Sequence, residues 1–414
     1  MKKSVNEVFT PRMHEVNPSM YVARPELERE LERSIRKNTH SLLFGESGNG
    51  KSWLYKTVLG KIDVPYVPIN CGAVSQTNSI TNQLRNVIVG SNIPTKIAYQ
   101  ESRTAEIGIG VAKADIEHTG EYQLSQEEPL YDVLRRYSEN GKKKIIVLEN
   151  LESIFACKPL LDELANILIL LDDERYAVFN VNFLIVGTPT GVLEYFSKTK
   201  NLESVANRIE ELPKVSSLSM GHVKKLIETG FSQLEIKITP SLAELVAFHT
   251  HDITLGVAQK VHEYLECLAY EIEDNGGRYD PPLLDRADNK WLLKGLRASY
   301  AVVQSHLNAR ETDVGRRNQV IYSIGKISGH SFDKAAIEDV IRREFPNTVR
   351  SSGMGIGPIL SNLASAESPL LTRLAKGNEF SIADTRYLMC IRLILRKDAT
   401  GKVIKRRFNN HNQD

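Results

Sequence analysis

Ser41-Leu42-Leu43-Phe44-Gly45-Glu46-Ser47-Gly48-Asn49-Gly50-Lys51-Ser52 is the stretch on which the reading of this chain turns. Its last eight residues fit GxxxxGK[ST] at every position, and they stand where that pattern carries meaning, after a short apolar strand and before a helical stretch. Glycines let such a loop turn its backbone N–H groups onto phosphate oxygens, and the helix that follows adds positive potential there. Lys51 is expected to reach the β- and γ-phosphates of a nucleotide and Ser52 to offer its hydroxyl to Mg²⁺, with Trp53 next in the contacting set. The bland alternative is a glycine-rich turn with no ligand.

Working outward, Leu27, Leu31 and Ile35 recur every four residues behind Pro25 and predict an amphipathic helix ahead of the strand. Residues 64–69, 144–148 and 183–186 read as further compact strands, with helical segments such as 160–171 between them. Strands alternating with helices imply an α/β fold: a parallel sheet sandwiched by helices. A nucleotide hydrolase built this way needs a carboxylate at the end of a neighbouring strand. Lys144-Ile-Ile-Val-Leu-Glu149 ends in one, so Glu149 is the expected acid on the Mg²⁺ side, against the alternative that it merely ends a core strand. Asn150 follows where a base is expected, and an amide cannot accept a proton from water. Either Glu152 supplies part of that role or turnover is slow.

Residues 96–122, with partial alternation and several glycines, fit a hairpin insertion. After residue 215 the pattern turns helical, over 220–229, 241–249 and 256–273, and Asn275-Gly-Gly277 with Asp280-Pro-Pro282 reads as a linker. Helices are expected near 290–308, 315–328, 333–344 and 356–364, and strand-like runs over 370–374 and 387–395. The expected organisation is an N-terminal arm over 1–20, extended in character, a P-loop core over 21–215, a helical lid over 216–275, and a helical linker with a basic terminal domain over 276–414.

The chain's 414 residues, 41% hydrophobic and 25% charged, are those of a globular protein of two or three domains. No apolar run approaches the roughly 20 residues that cross a bilayer, and the first residues continue from Lys2 and Lys3 without an apolar secretory core. A cytoplasmic protein without a membrane partner is expected. Cys71, Cys157, Cys267 and Cys390 lie too far apart to suggest a zinc cluster or a disulfide framework. His249 and His251 read as a helix end rather than a metal site, and Tyr264, Tyr270 and Tyr300 as core. Charge is unevenly spread: residues 316–414 carry 17 Lys and Arg against 9 Asp and Glu, and the first 315 residues carry 36 against 42. A basic end on an acidic body points to a module that meets polyanions, with a solvated basic surface as the alternative.

The order of these pieces over roughly residues 20–400 resembles the AAA+ ATPases, most closely the initiator-like branch of origin-recognition and related signalling ATPases. Tyr21-Val22-Ala-Arg24-Pro is similar to the segment that flanks the adenine in that family. Phe183-Leu-Ile-Val-Gly-Thr188 resembles its sensor-one strand, which places Thr188 near the γ-phosphate. Ala206-Asn-Arg208-Ile-Glu-Glu-Leu-Pro213 is similar to the segment that carries an arginine finger, so the resemblance implies that Arg208 acts on a neighbouring subunit's nucleotide in a homo-oligomer. The family's lid presents an arginine where this chain has His251-Asp-Ile-Thr-Leu-Gly256-Val-Ala-Gln-Lys260, which holds none. With Asn150, that departure implies a slow ATPase or a nucleotide-gated switch.

Residues 333–396 resemble the winged helix-turn-helix appended to such ATPases. In that resemblance 349–363 supplies the turn and second helix, and 370–374 with 380–388 the wing. Arg350, Ser351, Ser352, Asn362 and Arg373 are the implied DNA contacts, with Lys376 and the tail residues Arg396, Lys397, Lys402, Lys405, Arg406 and Arg407 adding phosphate affinity. The resulting expectation is an ATP- and Mg²⁺-dependent oligomeric switch that engages DNA. Its rival is a signalling or adaptor ATPase that recruits a protein effector without touching DNA, and a third reading is a nucleotide-binding scaffold without hydrolysis.

Overall fold

The computed structural model describes residues 2–90, 128–138, 141–187, 205–308, 315–327, 329, 331–349, 354–374 and 378–406. The expected hairpin insertion falls outside them. The described residues divide into two compact units, one drawn from 24–47 and 54–215, the other from 1–23, 48–53 and 216–414. The first helix, α1 (Val5–Val8), belongs to the latter.

The α/β unit runs α2 (Pro25–Arg36), β1 (His40–Phe44), α3 (Lys51–Lys61, counted here from Leu54), β2 (Tyr66–Asn70), α4 (Cys71–Thr77), α5 (Ile80–Ile88), α6 (Pro129–Tyr137), β3 (Lys144–Glu149), α7 (Lys158–Leu170), α8 (Glu174–Ala177), β4 (Val181–Gly187) and β5 (Ile209–Glu211). Among the described residues the sheet has five strands in the order β2-β3-β4-β1-β5, and every pairing is parallel. Alternate residues of the three central strands divide between two cores. Leu42, Ile146, Leu148, Phe183 and Ile185 join one with Val133, Leu164 and Leu168, while Leu43, Ile145, Val147, Leu184 and Val186 join the other with Leu31, Leu54 and Val58. A side-chain period of two, apolar on both faces, is what makes these strands near-continuous hydrophobic runs. Their register aligns Phe44 with Gly187 and Leu148 with Ile185, so the carboxyl ends of β1, β4 and β3 share one edge. That edge is where open parallel sheets bind ligands.

The other unit continues through α9 (Met220–Gln233), α10 (Pro240–Thr254), α11 (Ala258–Asp274), α12 (Pro282–Gly295), α13 (Arg297–His306), α14 (Arg316–Lys326), β6 (Ser331–Asp333), α15 (Lys334–Glu344), α16 (Ile356–Ser365), β7 (Leu371–Arg373), β8 (Glu379–Ile382), α17 (Thr385–Ile394), β9 (Leu395–Lys397) and β10 (Val403–Lys405). One core cluster runs from Val5 to Leu395. β6, β8 and β7 form an antiparallel sheet in that order, and β9 pairs with β10.

Four expectations are corrected here. The arm is not simply extended: Ser4 and Glu7 form a capping box on α1, Val8 is buried, and Phe9 and Met20 pack against α9, where a Cβ on Gly230 would come within 2.6 Å of the Phe9 ring. The helix expected near 290–308 is two helices broken at Leu296, and the first starts inside the expected linker, where Pro282 suits a first helical turn. Residues 387–395, read as a strand, lie in α17 apart from Leu395, and so does the second half of the segment assigned to the wing. Asp384 caps that helix by accepting from Arg386 N–H, and an apolar run this short has the same look in either conformation.

The fourth concerns Arg406, expected to meet phosphate from the tail. Its side chain is 8% exposed and pairs with Asp288 and Asp285. Asp288, fully buried, also accepts from Tyr264 Oη at 2.8 Å and lies 2.8 Å from His249 Nε2. A buried carboxylate needs a cation and hydrogen-bond donors around it, and Arg406 is that cation.

Candidate nucleotide site

The loop between β1 and α3 takes its shape from its glycines. Gly48 and Gly50 sit at φ 83° and 87°, a region other residues rarely enter. Gly45 is needed for a different reason: a Cβ there would lie 2.5 Å from the carbonyl oxygen of Val215, whose N–H donates to Phe44 O at 2.8 Å. In the unit that contains Gly48, a Cβ on that residue would lie 3.1 Å from Val257 and 3.2 Å from Gln259, and Gln259 N–H donates to Gly48 O at 2.9 Å. The stretch 251–260, singled out for lacking an arginine, therefore touches the loop through Gln259. Asn49 is buried, and Lys51 and Ser52 open α3 half-buried. Glu46 pairs with Lys214 at 3.2 Å, and Ser47 is exposed. Gly48 and Gly50, at positive φ, give the backbone the freedom that a phosphate-binding loop requires.

Trp53 is held from within its own unit. Its indole N–H donates to Met13 O at 3.3 Å and its ring meets that of His262 edge-on at 5.7 Å. Burial drives the His262 pKa down to about 4, so the ring is neutral and its Nδ1 accepts from Thr10 N–H at 3.4 Å. Tyr21 and Val22 are half-buried, with Val22 packed on the large core cluster.

At the end of β3, Glu149 is half-buried and accepts from Tyr55 Oη at 3.0 Å. Burial, with the Glu149 charge beside it, holds the Tyr55 hydroxyl protonated far above its ordinary range. Asn150 stands at φ 57°, ψ 45°, a left-handed conformation that Asn accepts more readily than Glu. Its Nδ2 donates to Asn70 Oδ1 at 3.3 Å, and the same oxygen accepts from Gly72 N–H at 2.8 Å. Asn70 and Glu149 are register partners at the ends of β2 and β3. Glu152 is exposed in the short 3₁₀ turn Leu151–Ile154. Tyr55 and Asn70 were not singled out in the sequence. Asn70 ends an apolar strand as Glu149 does, which is a readable signal; Tyr55 looks like any helical core residue.

Arg208 precedes β5 and pairs with Asp172 at 2.6 Å with its side chain 27% exposed. Thr188, Arg350, Ser351, Ser352 and Lys376 lie outside the described residues, as does Arg407. Asn362 is exposed and accepts from Arg317 Nη1 at 2.8 Å; the Arg373 guanidinium lies 5.5 Å from the Phe380 ring centre and donates to Ser361 Oγ at 3.0 Å.

With this geometry in place, the AAA domain family matches residues 35–196. No curated protein matches the sequence. Among solved structures, a Walker-type ATPase of Pyrococcus abyssi is similar at 17% identity, with 90% of this chain and 96% of that one covered and a TM-score of 0.50. The ORC2 protein of Aeropyrum pernix, solved as ADPNP–ADP complexes, is similar at 13% identity, covering 90% and 93%, with a TM-score of 0.49. The Orc1 protein of the same organism, solved in complex with DNA, is similar at 14% identity, covering 94% and 97%, with a TM-score of 0.48. The first of these likenesses shows a shared fold. Among the described residues no helix is long and apolar enough to cross a membrane.

Proposed function

We propose that the chain is a slow, nucleotide-controlled AAA+ ATPase of the initiator-like branch that assembles as a homo-oligomer and engages DNA through a winged helix over residues 333–396. The observation that carries the nucleotide reading is the loop of the AAA domain, with Gly48 and Gly50 at positive φ and the Lys51-Ser52 pair opening α3. Lys51 would draw charge from the β- and γ-phosphates of ATP. Ser52 and Glu149 offer a hydroxyl and a carboxylate, hard oxygen donors of the kind Mg²⁺ takes, and the ion when bound supplies neutralising charge. Asn150 and Asn70 can orient a water but not deprotonate it, which supports slow turnover. Arg208 would serve a neighbouring subunit's nucleotide after leaving Asp172.

Phosphate release from wild type, Lys51→Ala and Glu149→Gln tests this reading. Loss of a charge-stabilising donor lowers turnover by on the order of a hundredfold. Wild-type release no faster than that of Lys51→Ala, at every protein concentration, would remove the ATPase assignment. Arg208→Ala is expected to bind ATP normally and to lose activity only where subunits associate; equal activity with wild type across concentrations refutes the role in trans.

The DNA half of the proposal rests on the net basic charge of residues 316–414 and on the succession β6, α15, α16, β7, β8. Binding of the full chain to duplex DNA should weaken steeply as salt rises. A second reading, a protein effector docked on the same module, is favoured by the internal engagement of Asn362, Arg373 and Arg406. Salt-insensitive or absent DNA binding selects it.

A further inference from the structure

We propose that Tyr55 is a positioning residue for the Glu149 carboxylate. Tyr55 lies on α3 three residues after Ser52, is fully buried, and packs in the core with Leu54, Val58 and Leu59. Its ring meets Tyr66 of β2 edge-on, with centres 5.8 Å apart and planes at 86°. Two elements thus fix where the hydroxyl points, and it points at Glu149 Oε1, 3.0 Å away.

The terminal torsion of a glutamate is broad, so a half-buried carboxylate at a strand end samples a range of orientations unless something holds it. A hydrogen bond from the Tyr55 hydroxyl to Oε1 narrows that range and orients the carboxylate. Phenylalanine would fill the same core space and pack equally on Tyr66. The hydroxyl contributes only the bond to Glu149. Groups that orient metal-binding side chains in this way typically change metal affinity by tenfold or more. The inference rests on the reading of Glu149 as the acid on the Mg²⁺ side.

Calorimetric titration of the full chain with ATP at a series of Mg²⁺ concentrations tests the proposal without reference to turnover. Tyr55→Phe should need about tenfold more Mg²⁺ to reach its tight-binding state, with ATP affinity in EDTA and the melting temperature unchanged. Glu149→Gln, run beside it, should lose most of the Mg²⁺ dependence. A wild-type Mg²⁺ requirement in Tyr55→Phe, with Glu149→Gln impaired, overturns the role of Tyr55 and leaves that of Glu149 standing. A wild-type requirement in Glu149→Gln overturns both. Should Tyr55→Phe not fold, Glu149→Asp keeps the charge and withdraws the carboxylate from the hydroxyl by one methylene. It must then show the same raised requirement, and a wild-type value overturns the proposal.

Discussion

At the end of the sheet, Glu149, Asn150, Asn70 and Glu152 occupy strand ends and the turn that follows, exposed or half-buried, with Tyr55 bonded to Glu149 and Asn150 to Asn70. In the helical unit, several of the basic residues that make the chain's end positive are turned inward. Arg406 pairs with Asp288 and Asp285, Arg392 with Asp252 at 3.0 Å, and Arg317 donates to Asn362 and to the His306 carbonyl. The contrast is between side chains placed by a backbone feature and side chains placed by what they pair with. A strand end is visible in sequence, and a pairing partner 118 residues away, as Asp288 is from Arg406, is not.

Asp288→Ala strikes the comparison hardest. It strands Arg406, Tyr264 and His249 around an emptied buried site, and the loss of one partner in such a cluster costs about 3–5 kcal/mol. Urea denaturation should report that loss while nucleotide binding by the folded protein stays near wild type. A cost below about 1 kcal/mol would mean that Arg406 is no anchor and belongs with the charge available to polyanions.

Acidification comes next. His262 is held neutral down to about pH 4, whereas in the unfolded chain it takes its proton near 6.5. The unfolded state therefore binds more protons between those values, and stability falls as pH drops through that window by up to about 1.4 kcal/mol per pH unit. His40, also lowered to about 4 by burial, acts in the same direction in the α/β unit. Replacing His262 with Asn should flatten the slope of unfolding free energy between pH 6.5 and 4 by one proton's worth, and an unchanged slope would show that the ring is not buried neutral.

The smallest effect sharpens the reading of Asn150. Asn150→Glu would place a residue averse to the left-handed region at φ 57° and remove the amide bond to Asn70, at a cost of about 1–2 kcal/mol. Hydrolysis should not rise. A faster ATPase in this variant would mean that the backbone readily accommodates a carboxylate there and that only the base was missing.

Much of the α/β unit was legible beforehand because its central strands are buried on both faces, which writes them as continuous apolar runs, and because the loop after β1 carries glycines where its backbone takes positive φ. The C-terminal unit was less so. Residues 387–395 carry no period long enough to separate helix from strand, and it is the Asp384 cap and the packing of Met389, Ile391 and Ile394 that settle the matter. Charge counting was the weakest guide, since a guanidinium can lie on a surface or beside a buried carboxylate with the same local sequence.

The sequence by itself determined the parallel sheet, the loop after β1 and the acid at the end of β3, since each follows from local rules of burial, backbone freedom and strand length. Only the tertiary structure decided that Tyr55 holds Glu149, that Asn70 holds Asn150, and that Arg406 belongs to the interior. Those three depend on side chains 94, 80 and 118 residues apart being brought together, and no local pattern encodes a contact of that separation.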